Sequence, residues 1–177
     1  FADLYAEELK AEGGVISGEQ FVDECQVESD LELLLPATYV TGSSERMLLY
    51  RELDSLTLDK DVEAFRNRLI DRFGPVPSET EELLRIVPLR RLAARLGAEK
   101  VFLKGGRMSL FFISNPESPY YQSQAFGKVI AYMMKYTRRC DLREQNTRRS
   151  MLVKDVKNVE TAVGVLQEIV AMQVEEG

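Results

Sequence analysis

Lys100-Val101-Phe102-Leu103-Lys104-Gly105-Gly106-Arg107-Met108-Ser109-Leu110-Phe111-Phe112-Ile113 decides the fold class. Two apolar, β-prone runs flank a glycine pair, and glycine adopts positive φ without a Cβ clash. The stretch therefore predicts a β-hairpin over Lys100–Leu103 and Met108–Ile113. Lys104 and Arg107 beside Gly105-Gly106 invite comparison with a phosphate loop. The glycines do not lead to Lys-Ser/Thr at a strand–helix junction, so the hairpin turn is the better reading.

Upstream of this hairpin the pattern is helical. Val62, Phe65, Leu69 and Phe73 recur at helical spacing, with Thr57 as a plausible cap and Gly74-Pro75 as a stop. Ser78 with Glu81 suggests a capping box for a helix carrying Leu83, Ile86, Val87, Leu89, Ala93 and Leu96. Pro88 is expected to kink or divide that helix, and Gly97 to end it. Ser43 or Ser44 could cap an earlier helix through Leu53, with Met47/Tyr50/Asp54 or Leu49/Leu53 facing inward. Val27 to Leu35 alternates apolar and acidic residues, predicting an edge strand ended by Pro36. Residues 1–10 read as helix and 11–26 as mobile or irregular chain. Together, residues 1–26 are expected to form a helical end and flexible linker of a longer parent, the more so because the chain opens at Phe1.

Downstream, Asn115–Pro119 reads as a loop, and Gln122–Tyr136 as a helix with Phe126, Val129, Ile130 and Met133 inward. Residues 138–143 and 148–153 suggest a second hairpin around Glu144–Thr147. Asp155 or Asn158 then caps a last helix with Val159, Ala162, Val163, Leu166, Ile169 and Val170 inward. The expectation is an α+β fold: a helical first half with an edge strand, then two hairpins and two helices packed as one domain.

Composition removes several function classes. The 177 residues contain no histidine, so His-based triads, general bases and zinc sites are absent. Cys25 and Cys140 are too few for an all-cysteine metal site; they suit a reducing cytoplasm, with a single disulfide left open. Acids around Cys25 should raise its thiol pKa. No apolar run approaches the roughly 18–20 residues that cross a bilayer. No nucleophile–base pair, metal cluster or nucleotide loop can be assigned, which argues against an autonomous enzyme and against a cofactor held by this chain.

Charge is uneven within a net −6. Residues 1–34 hold ten acids against Lys10, whereas residues 135–154 hold seven bases against Asp141 and Glu144. Arg138, Arg139, Arg143, Arg148 and Arg149 could meet phosphates as an accessory nucleic-acid site, although stacking aromatics are sparse in that stretch. The two opposite patches could equally be solvated, or face each other. A purely structural domain is a further alternative.

Three ordered motifs are more specific. Leu35-Pro36-Ala37-Thr38-Tyr39-Val40, Arg46-Met47-Leu48-Leu49-Tyr50-Arg51-Glu52-Leu53 and Leu69-Ile70-Asp71-Arg72-Phe73-Gly74-Pro75-Val76-Pro77 resemble the carboxy-terminal domain of bacterial transcription-repair coupling factor. The likeness continues through Leu89, Ala93, Leu96 and Gly97 and then loosens. It implies that residues 27–177 are a regulatory domain of a cytoplasmic bacterial ATP-driven DNA translocase. ATP and magnesium would serve an upstream motor. The domain would close as an autoinhibitory clamp on an amino-terminal domain of the parent. It would thereby mask the surface for the excision-repair damage sensor and restrain the motor until RNA polymerase is engaged. Pro36, Tyr39, Asp71, Phe73, Gly74, Pro75 and Pro77 form the motif framework. Asp71 and Arg72 either bond the turn's own backbone or face a partner. Arg46, Tyr50, Arg51, Arg72, Arg138, Arg139 and Arg143 are the candidate interface residues, since Arg and Tyr combine contact area with directional hydrogen bonds.

Overall fold

The computed structural model describes residues 21–174. The chain runs β1 (Gln26–Ser29), α1 (Ser43–Ser55), α2 (Asp59–Phe73), α3 (Ser78–Arg95), β2 (Ala98–Lys104) and β3 (Arg107–Phe112). A 3-10 turn (Pro119–Gln122), α4 (Gln124–Lys135), β4 (Cys140–Gln145), β5 (Arg148–Val153) and α5 (Val159–Val170) complete it. The fold is α+β, as the residue pattern implies. The expected helix 1–10 and most of the expected linker lie outside the described residues. Residues 21–25 are irregular in backbone yet well packed: Val22 and Cys25 are buried, and Phe21 meets Tyr120 edge-on at 5.5 Å.

The strands form one sheet in the order β1-β2-β3-β5-β4, with β1 parallel to β2 and the other pairs antiparallel. Gly105 (φ 62°) and Gly106 (φ 73°) make the β2–β3 turn. The second turn is Asn146-Thr147, at φ 52° and 66°, and its first strand starts at Cys140 rather than residue 138. The edge strand is shorter than the alternation predicts. Beyond Ser29, the Leu31 amide donates to Ser29 Oγ at 3.0 Å and the Leu35 amide to Tyr50 Oη at 2.7 Å, so the backbone leaves the ladder. The alternation survives as burial, because Leu31 and Leu33 still pack on the core while Glu32 is exposed.

Helix entries differ most from expectation. Ser43 and Ser78 are the first residues of their helices, and the cap positions are Gly42, Leu58 and Pro77, none using a side chain. A residue already helical cannot bend its hydroxyl onto the amides a cap serves. Glu81, freed from a capping box, binds Arg66 instead at 2.8 Å. Asn158, not Asp155, caps α5, accepting from the Thr161 amide at 2.7 Å. α4 starts two residues later than expected, capped by Ser123, and buries Tyr132, which the apolar count overlooked. Pro88 sits within α3 without dividing it.

Two apolar cores result. The larger lies between one sheet face, supplied by Val101, Leu103, Met108, Leu110, Phe112, Met151 and Val153, and helices α3, α4 and α5. The smaller joins Leu35 and Val40 to Leu49, Leu53, Phe65, Leu69, Leu84 and Val87. α3 belongs to both: Leu84 and Val87 face the small core, Leu89, Leu92 and Ala93 the large one. It therefore fixes the α1–α2 pair relative to the sheet. Among the described residues, no helix is long and apolar enough to cross a membrane.

Candidate protein-docking surface

The motif residues build the small core before they build a surface. Gly74 ends α2 at φ 90°, a conformation costly for any residue with a Cβ. The reversal is held by Tyr39, whose hydroxyl lies 2.8 Å from the Gly74 carbonyl oxygen and 3.2 Å from that of Leu69. The Tyr39 ring packs on Phe73 at 5.6 Å. Burial and the nearby Glu81 carboxylate, opposed by Arg66, hold this hydroxyl above its ordinary pKa, so it stays a donor. Thr80, fully buried, donates to the Leu34 carbonyl at 2.8 Å and fastens the Leu35-Pro36 run to α3.

Two expected interface residues are occupied in this framework. Tyr50 accepts the Leu35 amide, and Arg46 donates to the carbonyls of Val40 and Thr41 at 2.8 and 3.2 Å. The turn itself does not engage Asp71 or Arg72. Asp71 is exposed and makes no hydrogen bond among the described residues. Arg72 pairs with Glu45 and lies 4.9 Å from the Phe73 ring centre.

Leu49 and Leu53 turn inward, which leaves Met47 (57% exposed) and Leu48 (63% exposed) outward on α1. Glu45, Leu48 and Glu52 fall on one helical stripe. Glu45 pairs with Arg72 and Glu52 with Arg68, both across to α2. An exposed leucine therefore sits between two interhelical ion pairs, beside Arg51 and Asp71, which are exposed and without a partner among the described residues. Uncovered apolar side chains ringed by charge are the anatomy of a modest protein interface. Residue-type reasoning picks out Arg51 and Arg72 here. It misses Met47, Leu48, Glu45 and Arg68, because α1 offers two apolar faces and periodicity alone does not choose between them.

The basic stretch does not form one patch. Arg139 donates to the Lys154 and Asp155 carbonyls at 3.0 and 3.3 Å, a structural role. Arg138 is exposed, Arg143 pairs with Asp141 at 3.3 Å, and Arg149 lies 4.3 Å from the Tyr121 ring centre. Cys25 and Cys140 are both free thiols and buried. The Cys25 thiol is pushed up to about 12, by burial rather than by the neighbouring acids, with Arg90 pulling the other way. Among the described residues, no group of three or more His, Cys, Asp or Glu could hold a metal ion.

The family profile described as the TRCF domain matches residues 29–123, just over half of the chain and the whole of the α1–α2 surface. The chain belongs to the TRCF domain family. It is similar to the transcription-repair-coupling factor of Rickettsia bellii, 29% identical over 150 residues, and to that of Rickettsia typhi, 26% identical over 149. These alignments cover 81% and 82% of this chain but only 13% of each relative. The protein of that name from Staphylococcus haemolyticus is 24% identical over 144 residues. Among solved structures, the crystal structure of a C-terminal domain of transcription-repair coupling factor superposes with a TM-score of 0.63 at 17% identity. It covers 83% of this chain and 93% of that one. At that identity the likeness shows the fold, and the TRCF fold is the one described above.

Proposed function

We propose that this TRCF domain is a non-catalytic, autoinhibitory interaction domain that acts by contact. Its α1–α2 surface docks in cis on the amino-terminal domain of a parent translocase, restraining the upstream motor and masking the surface that receives the repair damage sensor. The observation that carries this reading is the exposed Leu48 set between the Glu45–Arg72 and Glu52–Arg68 ion pairs, with Met47 also exposed on α1 and with Arg51 and Asp71 exposed and without a partner among the described residues. Such a surface is small and polar at its rim, so it binds weakly by itself. Covalent linkage supplies the effective concentration that keeps a weak contact closed and still lets it open. The size of the curated relatives, of which this chain matches about an eighth, leaves room for the motor upstream.

Arg51→Glu and Arg72→Glu in the full-length parent test the reading. Each is expected to raise the resting ATPase rate and the binding of the damage-sensor subunit, by several-fold for a rim charge reversed against a complementary partner. Both side chains are exposed, so folding should be intact by circular dichroism. A folded variant with unchanged ATPase and unchanged binding removes that residue from the surface.

A further inference from the structure

Among the described residues, helices cover one face of the sheet, and the other face has its own composition. Pairing registers place Glu28, Phe102, Ser109, Leu152 and Asp141 in one row across it. Gln26, Lys100, Phe111, Ser150 and Arg143 form the next row. Phe102 and Phe111, on the adjacent strands β2 and β3, lie outside both apolar cores and are half-buried, with ring centres 5.3 Å apart. Lys100 and Lys104 lie 4.7 and 5.0 Å from the Phe102 ring centre, and Arg148 lies 5.6 Å from that of Phe111. Beside Phe111 is a concavity of about 370 Å³ with Arg143, Arg148, Ser109, Ser150, Gln145 and Asn146 in its wall.

We propose that this open sheet face binds single-stranded nucleic acid, with bases stacked on Phe102 and Phe111 and phosphates met by Lys100, Lys104, Arg143 and Arg148. Aromatic rings on central strands, bordered by bases and hydroxyls, match what an unpaired strand presents: flat apolar bases joined by anionic links. A duplex hides its bases and can use only the charges. The cations are held loosely enough to change partners. Glu28 serves both Lys100 and Lys104 at 3.4 and 3.6 Å, and Arg148 reaches Glu99 at 3.4 Å. Phosphates therefore compete with carboxylates on this face, and binding is modest and salt-sensitive. The surface is separate from the α1–α2 docking surface, so either assignment can fail without the other.

Fluorescence anisotropy of the whole chain with labelled oligothymidylate and oligouridylate tests this, using a blunt duplex of equal length as comparator. At low salt, single strands should bind more tightly than duplex, and added salt should weaken them. The two single strands separate DNA from RNA preference. Phe102→Leu and Phe111→Leu keep an apolar side chain but remove the stacking ring, and each should weaken single-strand binding about tenfold. Arg143→Glu changes an exposed side chain, poses no folding risk, and should weaken it further. No single-strand binding at low salt overturns the proposal, as it would if the face took a protein instead. So does duplex binding as tight as single-strand binding, or affinity indifferent to both rings and to Arg143 in folded variants.

Discussion

Gly97 shows how one residue can commit the chain. It ends α3 at φ 84°, and a Cβ there would lie 2.0 Å from Cε1 of Tyr120. That ring is fully buried, and its hydroxyl donates to the Leu96 carbonyl, so it has no room to retreat. Gly97→Ala should cost about 3 kcal/mol or more in urea unfolding, combining backbone strain with overpacking. Titration supplies a second residue-level expectation. Burial raises the Cys25 thiol from 9.0 to about 12 and the Tyr132 hydroxyl from 10.0 to about 12, with smaller opposing effects of Arg90 and Arg139 respectively. The unfolded chain releases these protons near the ordinary values while the folded chain keeps them. Stability from these groups is thus complete below the unfolded values and lost as pH rises from 9.0 towards about 12. Denaturant midpoints measured across that range should fall steadily. A flat profile would mean that neither group is buried as described.

At the level of elements, α3 and α5 share the larger core, and one carboxylate of α3 also caps α5. Glu82 accepts the Val159 amide at 2.7 Å and the Glu160 amide at 3.1 Å, serving the free donors of the first turn of α5. Arg85 holds Glu82 in place at 3.0 Å. Glu82→Ala should cost about 1–2 kcal/mol and should speed amide exchange first at Val159 and Glu160. This tie lies between residues 77 and 78 positions apart, beyond the reach of any local pattern. The first hairpin, by contrast, was legible because a glycine pair between alternating runs is a local signal, and so was the face of α2. The second, which turns on Asn146-Thr147, was placed with its first strand two residues early. The caps were not legible, since a serine near a helix start does not reveal whether it stands just before the first turn or within it. The docking surface was half legible. Arg51 and Arg72 stand out by type, but Arg46 and Tyr50 look identical in sequence and are consumed by backbone partners of Leu35, Val40 and Thr41. The exposed Leu48 could be recognised only after Leu49 and Leu53 had taken the inner face.

For the whole molecule, two cores share one helix, and two distinct surfaces follow from that arrangement. α3 positions the α1–α2 pair on one side, while the sheet turns its Phe102–Phe111 face away from the helices. Neither surface requires bond-making chemistry in this chain, and the proposed role is regulation by occupancy: the domain inhibits while it sits on its partner and releases when it leaves. A lid of this kind has its effect in the parent, not in itself. The most direct measurement is therefore the ATPase rate and damage-sensor binding of the full-length parent, compared with the same protein lacking residues 27–177. Removal should raise the resting ATPase rate and open the sensor-binding surface. A truncated parent as slow and as closed as the intact one would contradict the account.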